Sequence, residues 1–203
     1  MKKSFVIAWL LVGYLSIHCG SVPQTFYYRI DYEAKNLKDD NGTIPKTLGV
    51  TQFGVDALYE GDRIVYRQSP YEVKFYNYRR WISPPKKMVS EKILKQYQAS
   101  GLFQRVVKVP YSGTIDYILG GVIQAFEEWD EGSNWYGTVA IEFRLENNAN
   151  HEVVWQRVIK ERVLAEKKEP LGIVKAISAS LEKVVSKSIS EIKTNLEVTS
   201  NNN

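Results

Sequence analysis

This chain offers little material for catalysis. It has one cysteine, Cys19, and two histidines, His18 and His151. His18 precedes Cys19 in a segment expected to be removed, which leaves His151, in an Asn-rich turn, as the remaining imidazole. A nucleophilic serine or cysteine needs a base beside it, so neither a Ser–His nor a Cys–His arrangement is expected. Zinc needs three or four nitrogen, sulfur or carboxylate ligands in one cluster, and no such spacing occurs. No GxxxxGK[ST] loop is present, and Gly120-Gly121 falls inside a strand pattern, where it marks a bulge or a close backbone approach. Glu127, Glu128, Asp130 and Glu131 gather four carboxylates at a strand end, and there they read as a solvated turn. No catalytic residue, metal ligand or cofactor is therefore expected, apart from one covalent group.

That group belongs on Cys19. Lys2 and Lys3 open the chain, and an uncharged, mostly apolar stretch runs from Phe5 to Leu15. A helix crossing the hydrocarbon core needs about 20 residues, so this stretch reads as a cleavable export signal over residues 1–18. Cys19 stands where bacterial lipoproteins carry the cysteine that receives lipid and becomes the mature N-terminus. His18 departs from the Gly, Ala or Ser usual before it. Acyl chains contribute about 0.8 kcal/mol per buried methylene, enough for several to hold a domain on a bilayer. No later stretch has the length and apolarity of a membrane-spanning helix.

Of 27 basic and 23 acidic side chains, Lys2 and Lys3 belong to the leader, so the mature chain is nearly neutral and nucleic-acid binding has no support. Thirteen tyrosines and five tryptophans suit surfaces that bind something. Arg79-Arg80-Trp81, preceded by Tyr71, Phe75, Tyr76 and Tyr78, mixes basic and aromatic residues and reads as a strand edge or subunit contact.

The elements that must position these residues follow from pattern. Residues 19–25 form a lipidated tether, 26–198 a single domain and 199–203 a disordered tail. Strands are expected over 26–32, 48–58, 63–67, 72–78 and 106–109, with a polar loop over 35–45. Three longer strands, 117–129, 136–145 and 153–162, are joined as an antiparallel meander. Val139, Ile141, Phe143 and Leu145 share one face of the middle strand, and Glu142 and Arg144 the other. A helix begins at Ser83-Pro84 with serine as its N-cap; Val89, Ile93 and Tyr97 make its apolar face, and Gly101 ends it. A second helix runs from Pro170 to about Glu197 with an apolar stripe from Val174 to Leu196. Its serine-rich side is read either as ordinary surface or as room for a second subunit. The fold class is α/β of the α+β type, a mixed, largely antiparallel sheet against two amphipathic helices.

One block is distinctive: Arg67-Gln68-Ser69-Pro70-Tyr71-Glu72-Val73, then Arg80-Trp81-Ile82-Ser83-Pro84-Pro85-Lys86-Lys87-Met88, then Ser100-Gly101-Leu102-Phe103-Gln104-Arg105-Val106-Val107. With Tyr27-Tyr28, Leu119-Gly120-Gly121-Val122, Phe126-Glu127 and Val154-Trp155, it resembles the ABC-type transport auxiliary lipoprotein family, PqiC-like. The resemblance implies a non-enzymatic lipoprotein partnered with an ABC permease, its ATPase and an MCE-type substrate-binding protein. Such systems move phospholipids or similar hydrophobic molecules between the inner and outer membranes. Gly20 and Ser21 lack the aspartate associated with inner-membrane retention, so the outer membrane, facing the periplasm, is the expected address. The resemblance leaves a homo-oligomer open. The alternative is a structural or assembly lipoprotein of a ring-forming envelope or secretion complex. From the residues alone, Arg67, Pro70, Tyr71, Arg80, Trp81, Pro84 and Pro85 form a strand–turn–helix corner that either holds the fold or contacts a lipid or partner.

Overall fold

The computed structural model describes residues 23–34 and 43–201, with side chains described through residue 198. Cys19 and the leader lie outside the described residues, as does most of the loop expected over 35–45. The strands are β1 (Phe26–Tyr28), β2 (Ile44–Val50), β3 (Gly54–Val55), β4 (Arg63–Arg67), β5 (Lys74–Trp81), β6 (Phe103–Lys108), β7 (Tyr117–Glu131), β8 (Asn134–Asn147) and β9 (Val153–Leu164). Helix α1 spans Pro85–Ser100 and helix α2 Pro170–Asn201, and a short 3-10 turn covers Ala57–Tyr59.

Strand β7 organises the sheet. Along one edge it pairs in parallel with β2 through Tyr117–Leu119, with β3 through Val122–Ile123 and with β4 through Glu127–Trp129. Along the other it pairs antiparallel with β8 over its whole length, and β8 continues to β9. Outward from β4 come β5 and then β1; outward from β2 comes β6. The meander 117–162 is thus as its turn residues require. The shorter pairings are mostly parallel, and β4–β5 alone among them is antiparallel.

Helix α1 forms where the sequence places it, because Val89, Ile93 and Tyr97 recur every four residues and all three are buried. Gly101, at φ 68°, closes it in the left-handed conformation that glycine adopts without a Cβ penalty. Its start differs from expectation: Pro84 occupies the cap position and Pro85 begins the helix, with no side chain capping it. Proline there leaves fewer amides in need of a cap than Ser83 would have served. Helix α2 lays its stripe on β8 and β9, with Ile177, Leu181, Val184, Val185 and Ile192 fully buried. It runs to Asn201, into the segment expected to be disordered. Its Ser178, Ser180, Ser186 and Ser188 hydroxyls are hydrogen-bonded within this chain. Ser180 Oγ donates to Gly137 O at 2.6 Å, Gln96 Nε2 donates to Ser186 Oγ at 2.7 Å, and Ser188 Oγ meets Tyr97 OH at 2.8 Å.

Burying each large apolar side chain contributes about 1.5–3 kcal/mol, and this core runs continuously from Ile30 to Ile192. Aromatic edges lock it: Phe53 meets Phe143 at 5.5 Å and Trp81 meets Phe126 at 5.0 Å between ring centroids. Two glycines allow close approach. A methyl at Gly121, whose φ is 155°, would strike the Glu142 carbonyl; one at Gly137 would strike the α2 backbone at Ala176 and Ile177. Gly137→Ala should therefore lift α2 off β8 and cost about 1–3 kcal/mol in urea unfolding, the range of overpacked cores. An unchanged midpoint would show that the helix does not seat on that glycine.

Candidate functional site

The residues singled out in the sequence fall into one corner. β4 ends at Arg67, Pro70 and Tyr71 lie in the turn that follows, β5 ends at Trp81, and Pro84-Pro85 launch α1. Trp81 is buried against Phe126. Arg80 Nη1 donates to Asp62 Oδ1 at 2.7 Å, tying the end of β5 to the turn before β4. Arg67 Nη2 donates to Glu127 Oε1 at 2.5 Å and its guanidinium lies 5.0 Å over the Trp129 ring. Tyr71 faces solvent almost completely, at 95% of its full accessible area. β5 lies between β1 and β4, so Arg79-Arg80-Trp81 is not an outer strand edge; the short β1 covers it.

Of the acidic run only Glu131, at the hairpin turn, is solvated. Glu127 and Glu128 are only 1% and 0% exposed, and Asp130 is also buried. A register shift in the β7–β8 ladder between Ile123 and Ala125 decides which face each of the three takes. Leu119 and Ile123 alternate on the core face; past the bulge, Phe126, Glu128 and Asp130 take that face, while Glu127 and Trp129 take the other. The sequence carried the signal as a break in parity between Ile123 and Phe126.

Each buried carboxylate has its own shell. On one face Glu127 accepts from Tyr59 OH at 2.6 Å and from Arg67. Burial, then the Glu127 hydrogen bond, pushes the Tyr59 hydroxyl far above its ordinary range; the same carboxylate raises Arg67. On the opposite face Glu128 accepts from Tyr76 OH at 3.0 Å, and Gln68 Nε2 reaches Asp130 Oδ2 at 3.4 Å. Desolvation, and then Asp130 beside it, lift Glu128 to about 8. Asp130 Oδ1 is buried with no hydrogen-bond partner, and a proton on Glu128 gives it a donor.

Beyond Tyr76, toward the N-terminal end of β1, opens a cleft of about 460 Å³ lined by Phe26, Tyr66, Tyr76, Tyr78 and Arg79 and bordered by Pro23 and Gln24. Tyr66 and Tyr76 stack at 4.7 Å, and the Arg79 guanidinium lies 5.0 Å over the Tyr76 ring. The chemistry available is recognition: aromatic faces, one cation and buried carboxylates. Among the described residues no group of three or more His, Cys, Asp or Glu is placed to hold a metal ion, and no helix is long and apolar enough to cross a membrane.

Residues 28–188, from β1 to the middle of α2, match the model of the ABC-type transport auxiliary lipoprotein component. The chain belongs to that family. The sequence resemblance is thus upheld over β1–β9 and most of α2, and this auxiliary transport component carries its corner and buried carboxylates inside the matched span. Protein XCC0632 from Xanthomonas campestris, described by the family model DUF330, shares the fold at a TM-score of 0.76 and 18% identity, over 87% of this chain and 99% of that one. A second solved structure, of an uncharacterized protein, matches at 0.66 and 17% identity, over 84% and 99%. No curated protein matches the chain.

Because Glu128 holds its proton in the folded state to about pH 8 but would lose it near pH 4.5 unfolded, the folded state binds the extra proton between those values. Its contribution is full below the unfolded value and lost as pH rises through the folded one, amounting to a few kcal/mol as an order of magnitude. Thermal unfolding of the wild type should fall across that window, and Glu128→Gln, which stays neutral, should flatten the fall. Equal pH dependence in both would place the buried proton elsewhere.

Proposed function

We propose that this chain is a non-enzymatic, lipid-anchored accessory subunit of an ABC/MCE-type envelope transport system that moves phospholipids or similar hydrophobic molecules between inner and outer membranes. The observation that carries the reading is the family match over residues 28–188, with a leader-like segment and a solitary cysteine upstream of it. Cys19 is the lipid acceptor, and Gly20-Ser21 after it favour the outer membrane, facing the periplasm. The transport work belongs to partners: a permease, its ATPase and an MCE-type substrate-binding protein. This chain supplies a rigid body whose polar side chains are largely spent on its own fold, as in the Arg67–Glu127–Tyr59 and Tyr76–Glu128–Asp130 sets. Arg67, Arg80, Trp81, Pro84 and Pro85 serve the corner, whereas Tyr71, in the turn after Pro70, is exposed and takes no part in it.

Affinity purification from detergent-solubilised membranes, with Cys19→Ala as the control, tests this. Recovery of a permease, ATPase or MCE-type protein with the wild type, weakened in the control, is expected. Recovery of secretion or cell-wall assembly proteins instead would favour the structural lipoprotein alternative.

A further inference from the structure

Most of the exposed aromatic side chains lie along the β1–β5 edge of the sheet. Among the described residues, Phe26, Tyr27, Tyr71 and Tyr78 stand 45–95% exposed, and all lie on β1, β5 or the turn between β4 and β5; Tyr111 is the other exposed aromatic ring. β1 runs parallel to β5, with Phe26 opposite Arg79. The chain before Phe26 therefore runs back toward the start of β5 and the turn that holds Tyr71, and Pro23 and Gln24 border the cleft there. Val73, 37% exposed, lies at this end too.

The same end is where the chain leaves for Cys19. Three residues separate Cys19 from Pro23, four chain steps with a reach of about 14 Å at full extension. A domain of this size is about 40 Å across by the usual scaling of radius of gyration with length. A tether so much shorter than the domain keeps the exit end, and no other, against the surface that holds the anchor. Tyrosine and phenylalanine favour the bilayer's interfacial layer, with the ring among the upper acyl carbons and the hydroxyl among the headgroups. Arg79 adds a cation at this end. Its guanidinium rests on the Tyr76 ring, and no carboxylate among the described residues forms an ion pair with it.

We infer that the β1–β5 end, through Phe26, Tyr27, Tyr71 and Tyr78, is a bilayer-contacting surface that seats the domain in the interfacial layer beside its anchor, with Arg79 facing lipid phosphates. This rests on acylation of Cys19. The surface adds apolar area to the acyl chains and fixes orientation, so the opposite end of the sheet points away from the membrane toward soluble or spanning partners.

The test uses the full-length protein, matured in its host membrane and reconstituted into vesicles of phosphatidylethanolamine and phosphatidylglycerol. Tyr27→Cys, Tyr78→Cys and, on the solvent face of β9, Val158→Cys are each labelled with a thiol spin label; Val158 is itself 56% exposed. Unsubstituted protein is labelled first. An acylated Cys19 takes no label, whereas labelling there would refute the anchor and this surface with it. With the anchor intact, collision with a water-soluble nickel chelate should be several-fold lower at 27 and 78 than at 158, and collision with oxygen higher. Equal nickel access at all three positions would overturn the bilayer-contacting surface while leaving the anchor standing.

Discussion

A single strand paired along both of its edges constrains everything else in this molecule. β7 is 15 residues long, and its antiparallel pairing with β8 is unbroken but for one bulge. That length lets three separate segments, β2, β3 and β4, dock in parallel along its opposite edge, each recruited from a different part of the N-terminal half. Strands β5 and β1 attach through β4 and β6 through β2, while β9 and helix α2 attach on the β8 side. Parallel pairing brings together residues far apart in sequence, and β7 is what joins the β1–β5–β4 and β2–β6 groups into one sheet. Loss of register in β7 would move Leu119, Ile123 and Phe126 off the core together.

The bulge is the price of using one strand for two jobs. Before it, the core face of β7 meets Phe53 and Phe143; after it, the same face carries Phe126, Glu128 and Asp130 toward Trp81 and Tyr76. Burying carboxylates is costly unless they are paired or protonated, and both solutions occur within two residues. Glu127 is paired with Arg67 and Tyr59, while Glu128 holds its proton beside Asp130. The corner residues Arg67 and Arg80 thus have structural work at the point where the outer strands join β7, and the exposed aromatic residues nearby have none.

Local pattern made much of this readable. Val89, Ile93, Tyr97 and Gly101 define α1; the Val174–Leu196 stripe defines α2; the alternation from Val139 to Leu145 gives the face of β8 that meets the helix. What pattern could not convey is partnership between distant segments. Phe26–Tyr28 is strand-like in composition, but nothing in it says that it lies parallel to Arg79–Trp81, and Ile30 is buried beyond the end of the strand expected to contain it. The burial of Glu127, Glu128 and Asp130 was hidden for a related reason: a turn-like run of acids is ordinarily solvated, and the bulge and the covering side chains Tyr59, Tyr76 and Arg67 come from segments some 50–70 residues away. The cleft beside Pro23 likewise exists only because β1 and β5 pair.

The family match begins at residue 28, and the chain's single cysteine lies a few residues upstream of it. Acylation of that cysteine is the claim on which the functional account turns. Intact-mass analysis of the protein purified from membranes tests it directly. The account predicts a chain beginning at Cys19 and heavier than its residues by a diacylglyceryl group and an N-linked acyl chain. A mass equal to an unmodified chain, from whichever start, would contradict it.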